Sequence, residues 1–192
     1  MKVRTALAVL AILLLAASCR VDAPTGPYTA PAETDRETSV AEKLNREAAD
    51  LVESHPARAE ALLREALARD LYFGPAHNNL GVVFLGQEKL YEAAHEFEWA
   101  RKLLPGHPDP RTNLALTLER AGRLDEAFRG YEAALEVAPE DLAAIQGAAG
   151  LAVRTGRCEP RLRAWLELIS LGAGEHTWAS WAQLRLAQAA TK

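Results

Sequence analysis

Cysteine is nearly absent. Cys19 and Cys158 are the two in 192 residues, and they cannot build a zinc site. The five histidines (His55, His77, His95, His107 and His176) are scattered without metal-ligand spacing. No Gly-rich phosphate loop, nucleophile elbow or HExxH motif occurs. The chain is therefore expected to use no cofactor or metal, to hold no catalytic residue and to be no enzyme. A basic stripe is also missing: 22 basic residues face 26 acidic ones, for a net charge of −4. That balance argues against nucleic acid as a ligand and against electrostatic attachment to anionic lipid. No apolar run reaches the ~20 residues of an ordinary membrane span. What remains is 49% hydrophobic, rich in Ala and Leu with only 10 Pro. This reads as one helical globular domain with appendages.

The appendages lie at the start. Lys2 and Arg4 precede an uncharged apolar run at residues 5–17, about 13 residues and typical of a signal-peptide core. It ends Leu15-Ala16-Ala17-Ser18-Cys19, which resembles the bacterial lipobox. That resemblance implies cleavage after residue 18 and acylation of Cys19, although Leu is usual where Ala16 stands. A plain secretory signal cleaved near Ala17 or Ser18 is the alternative, with Cys19 a bystander. Residues 19–39 carry Pro24, Pro27, Pro31 and Gly26 without apolar periodicity, so a disordered tether is expected. It would reach roughly 25 Å as a coil and ~60 Å at full stretch.

The body of the chain repeats. With residues 74–107 set over 108–141, Leu80-Gly81 falls on Leu114-Ala115, Phe84 on Leu118 and Leu90 on Leu124. Ala93 falls on Ala127, Phe97 on Tyr131, Ala100 on Ala134 and Pro105 on Pro139. A 34-residue period with this spacing of small and large apolar residues resembles the tetratricopeptide repeat. The resemblance implies an all-α fold, an α-solenoid of antiparallel helix pairs forming a superhelix. Small residues are expected where helix axes approach, with Gly81 and Ala115 facing Ala93 and Ala127. The turns carry Gly86 and Gly122 as candidate C-caps, and Pro105 and Pro139 close the second helices. Asp125-Glu126 and Glu140-Asp141 fall at helix starts, where they complement the dipole.

Stepping 34 residues either way extends the array to units over about 40–73 and 142–171. In the first, Ala48 rather than Glu47 is placed at the tight contact, in a register shortened by one residue. In the fourth, Arg161 replaces the helix Ala, which suggests that its helices splay or shift, and Cys158 falls at an apolar position as a small buried hydrophobe. A last helix over 175–190, with Trp178, Trp181, Leu184 and Leu186, is expected to cap the solenoid of residues 40–192, its Trp residues serving as core.

In tetratricopeptide-repeat proteins the first helices line a concave groove that binds ligands. By position this implies Asn78, Asn79, Val82, Leu85, Thr112, Asn113, Leu116, Arg120, Gln146, Val153 and Arg154, with Asp109, Glu119 and Gly150 alongside. Asn79 and Asn113 fit equally a ligand-backbone contact or support of the helix pair. The groove lacks the Lys/Asn/Arg clamp of chaperone-binding members, so a peptide or amphipathic helix on apolar anchors is expected. The layout resembles the repeat-bearing lipoproteins of pilus or secretin assembly. It implies a lipid-anchored interaction scaffold at the periplasmic face of the outer membrane, with another envelope protein as partner. The alternatives are a self-associating envelope protein, a regulatory subunit of a periplasmic enzyme complex, and a soluble secreted or periplasmic location.

Overall fold

The computed structural model describes residues 36–171 and 176–190. The expected signal peptide, Cys19 and most of the tether lie outside the described residues. Within them the order is α1 (Thr38–Ala49), α2 (Pro56–Arg69), α3 (Gly74–Gly86), α4 (Leu90–Leu103), α5 (Asp109–Arg120), α6 (Leu124–Val137), α7 (Leu142–Thr155), α8 (Leu162–Leu171) and α9 (His176–Ala190). Among the described residues there is no strand, and no helix is long and apolar enough to cross a membrane. Successive helices pair, and the first helices of adjacent units also touch: α1 with α3, α3 with α5, and α5 with α7. This is an α-solenoid.

Helix starts follow local chemistry. Pro56, Pro75 and Pro110 sit in first turns, where a missing N–H costs no hydrogen bond. The Asp141 carboxylate caps α7 by accepting from the Ala144 N–H at 3.1 Å and from the Thr112 hydroxyl at 3.1 Å, joining α7 to α5. Among the described residues the first helix begins at Thr38, ahead of the expected 40, where a buried carboxylate holds its start. Asp70 has no exposed surface. It accepts from Arg36 Nε at 2.8 Å, Arg36 Nη2 at 3.0 Å, the Thr38 hydroxyl at 2.7 Å and the Tyr72 N–H at 3.1 Å. Burial alone would raise its pKa; the donors from Arg36, Thr38 and Tyr72 outweigh that and hold it below the usual carboxylate range.

The core divides into two clusters. One joins α1–α4 through Ala48, Leu63, Phe84, Ala93 and Phe97, and the other joins α5–α9 through Ala127, Tyr131, Ile145, Leu151 and Trp165. Ala48 is buried and Glu47 exposed, as the shortened register requires. A Cβ on Gly81 would come within 2.6 Å of the Phe97 ring, so its near neighbour is that ring rather than Ala93. Gly130 meets Ala115 within its own helix pair.

Three expectations are corrected. Gly86 ends α3 as an ordinary helical residue, and the left-handed position is taken by Glu88 at φ 58°. Gly122 (φ 77°) and Gly156 (φ 66°) hold the corresponding place in the next two turns, where a side chain is strained. Cys158 is exposed, not buried, because α8 opens at Leu162 and leaves residue 158 in the turn. For the same reason Arg161 is outside the tight contact. It is exposed, donates to Glu159 Oε1 at 2.7 Å and Glu132 Oε1 at 2.6 Å, and lies over the Trp165 ring.

Candidate functional site: the concave face and its C-terminal hollow

The first helices α3, α5 and α7 carry the residues assigned to the groove, and the structure sorts them into three groups. The first group is committed to seams between units. Asn79 Nδ2 donates to Asn45 Oδ1 at 2.9 Å, and Asn113 Nδ2 repeats the bond to Asn78 Oδ1 at 3.1 Å. With the first unit shortened by one residue, Asn45 corresponds to Asn78, so both bonds are one device used twice. Thr112 is buried and spends its hydroxyl on Asp141. Asn78 and Asn79 also border a shallow hollow of ≈250 Å³ with His107, Asp109 and Pro110.

The second group is Val82, Leu85 and Arg120, which line neither this hollow nor the larger one below. Leu85 is buried. Arg120 Nη1 donates to the Leu85 carbonyl at 3.3 Å and to Glu88 Oε1 at 2.9 Å, so it ties α5 to the α3–α4 turn.

The third group converges. Leu116, Gln146, Val153 and Arg154 share one hollow of ≈690 Å³ with Glu119, Tyr131, Gly147, Gly150, Thr177, Trp178, Trp181 and Arg185. The seam fails here for a sequence reason. Thirty-four residues beyond Asn113 stands Gly147, and beyond that Trp181. Without a side chain at 147 the Tyr131 ring leans against the α7 backbone, where a Cβ would overlap it. Its hydroxyl reaches through to donate to Glu119 Oε2 at 2.8 Å. Burial and the neighbouring Glu119 charge push the phenol far above its ordinary pKa, so it stays a donor. Arg154 Nη2 donates to the other Glu119 oxygen at 2.6 Å. Helix α9 supplies the far wall: Trp178 and Trp181 pack edge to face with centroids 5.2 Å apart, half-buried on the core and half facing the hollow.

The expectation placed both Trp residues in the core; they serve the core and the hollow together. Tyr131, Gly147 and Arg185 were not anticipated. The signal available for Gly147 was the break in the Asn column. Among the described residues, no group of three His, Cys, Asp or Glu side chains is placed to hold a metal ion. The surface offers apolar walls, the Glu119–Arg154 ion pair and the Arg185 guanidinium.

The helix pairs, their stacking and the terminal helix give this protein the tetratricopeptide-repeat fold. Solved structures share it. PilF of Pseudomonas aeruginosa superposes with a TM-score of 0.70 at 22% identity, over 80% of this chain and 70% of that one. The first tetratricopeptide domain of Spaghetti (RPAP3), solved bound to the HSP90 peptide SRMEEVD, gives 0.60 at 15% identity over 64% and 98%. MamA gives 0.58 at 17% over 77% and 81%. No family model matches the chain, and no curated protein sequence matches it.

Proposed function

We propose that this protein is a non-enzymatic interaction scaffold that binds a peptide or helix of another protein on its concave face. The observation that carries the reading is the ≈690 Å³ hollow between α5, α7 and α9, an apolar and aromatic recess flanked by hydrogen-bonding groups. That the Spaghetti domain, which shares the fold, is solved bound to an HSP90 peptide supports a protein partner. The scaffold is held at the bacterial envelope by acylated Cys19, with residues 20–35 as spacer, and its partner is another envelope protein. That part rests on the Lys2/Arg4 n-region, the apolar run and the Ala16-Ala17-Ser18-Cys19 site.

Intact mass of the protein from the membrane fraction of its host, with Cys19→Ser alongside, tests the anchor. A chain beginning at Cys19 with acyl mass, lost in the mutant, supports it; an unmodified soluble chain sinks it. Crosslinking of wild type against V153E then tests the groove: a captured envelope protein lost in the variant is expected. Self-association is the second reading, favoured by the exposed Leu168, Leu171 and Leu184 on α8 and α9. It predicts a concentration-dependent mass in sedimentation without any partner.

A further inference from the structure

The C-terminal hollow holds two arginines and one carboxylate, and their states differ. Glu119 is engaged twice, by the Tyr131 hydroxyl and by Arg154, so its charge is matched within the protein. Arg185 has no carboxylate partner among the described residues. Its Nη1 donates to the neutral Gln188 Oε1 at 3.0 Å. Its Nε is buried and, among the described residues, has no hydrogen-bond partner. A buried N–H of this kind has given up water without gaining an acceptor, which native folds avoid. The remaining wall is mainly apolar, with Leu116, Val153, Trp178 and Trp181 beside the polar Gln146 and Thr177.

We propose that this hollow is the anchoring subsite of the groove, and that it takes a large apolar side chain whose neighbouring Asp or Glu carboxylate accepts from Arg185. The proposal rests on the scaffold reading and adds the chemistry of the ligand. Three features select it. The aromatic pair presents faces and edges to a bulky apolar group. The volume exceeds a single side chain and admits the flanking backbone. The guanidinium of Arg185, which lines the hollow, has no carboxylate partner among the described residues, so an acidic acceptor forms the stronger charge-assisted bond. A basic ligand would meet the Arg185 charge and a Glu119 whose own charge is already paired with Arg154. With a net charge of −4, the whole chain repels acidic peptides at long range, so an acidic preference must come from this recess.

The test is selection of phage-displayed random dodecapeptides on the full chain. A synthetic enriched peptide is then titrated into wild type, R185Q and V153E. Enriched peptides are expected to place a large apolar residue beside Asp or Glu. R185Q should weaken binding about tenfold. Replacing the peptide acid by its amide should weaken wild type equally and R185Q no further, the coupling that a direct contact requires. V153E, which sets a carboxylate in the recess without removing a hydrogen bond, should weaken binding at least as much, with the thermal midpoint retained. Enriched peptides without an acid, or bound by R185Q at unchanged affinity, overturn the proposal. If those peptides are lost in N78A with V82E, the scaffold reading survives and only the subsite falls. If no peptide is enriched, both fall. A dimer that R185Q dissolves makes a second copy the occupant and also overturns it.

Discussion

The second and fourth helix pairs start from one template and end differently. In the second, α4 opens at Leu90 straight after its turn, runs 14 residues, and seats Phe97 against Gly81. In the fourth, α8 opens only at Leu162 and runs 10 residues. Cys158 and Arg161 fall in the longer turn, where Arg161 closes on Glu159 through both its backbone N–H and its guanidinium. Leu168 takes the place of Ala100 and Ala134 and stays exposed, so the surface that received the next pair elsewhere receives the single helix α9. On the concave face the N-terminal units are sewn together by Asn79 and Asn113, while the C-terminal units, having Gly147 and Trp181 in that column, leave a hollow. Regular packing closes the groove, and its relaxation opens a recess.

Breaking the regular end should have the largest effect. Phe97→Ala removes a fully buried ring and should cost about 3–5 kcal/mol by urea denaturation. Asp70→Asn comes next, at about 2–3 kcal/mol, because one buried acceptor serves three charged or polar partners. Its sign in pH follows from the depressed pKa of Asp70. The stabilisation is full above the unfolded value of about 4 and is lost as pH falls through the lower folded value. Wild-type stability should therefore drop below about pH 4, and the Asn variant should show a shallower drop.

The comparison sharpens on two glycines three residues apart in α7. Gly147→Ala should destabilise by about 1–3 kcal/mol, since overlap with the Tyr131 ring outweighs the gain in helix propensity. Gly150→Ala should be neutral or stabilising by up to about 1 kcal/mol, because its Cβ would meet Trp178 at an ordinary 3.5 Å. Equal thermal midpoints for the two variants would contradict the account of the hollow. The smallest effect is expected at the turn. Glu88→Gly relieves a left-handed side chain but loosens the unfolded chain and drops an exposed pair with Arg120, a net gain below about 1 kcal/mol. A loss above that would show that the Arg120–Glu88 bond matters more than the backbone.

Much of this architecture was legible because a tetratricopeptide unit is specified by near neighbours. The small residues Gly81, Ala93, Ala115 and Ala127 and the large Phe97 and Tyr131 recur at one period, and the period carries helix lengths and pairing with it. Ala48 could be preferred over Glu47 from charge alone, since a carboxylate cannot enter an unpaired tight contact. The fourth unit escaped the same reading. Strict counting kept α8 in register, whereas the Glu159–Arg161 pairing holds the turn open and moves its start by a helical turn.

The sequence by itself determined the helix pairs, their order and the faces they bury, because periodicity and side-chain volume act between residues close in the chain or one repeat apart. The tertiary structure alone decided that Glu119 is matched by Tyr131 and Arg154, and that Arg185, whose Nε has no partner among the described residues, lines one hollow with Trp178 and Trp181. The Glu119 contacts depend on how α5, α6 and α7 meet, and the place of Arg185 on how α9 settles in the C-terminal core cluster, contacts between helices that no single stretch of sequence contains.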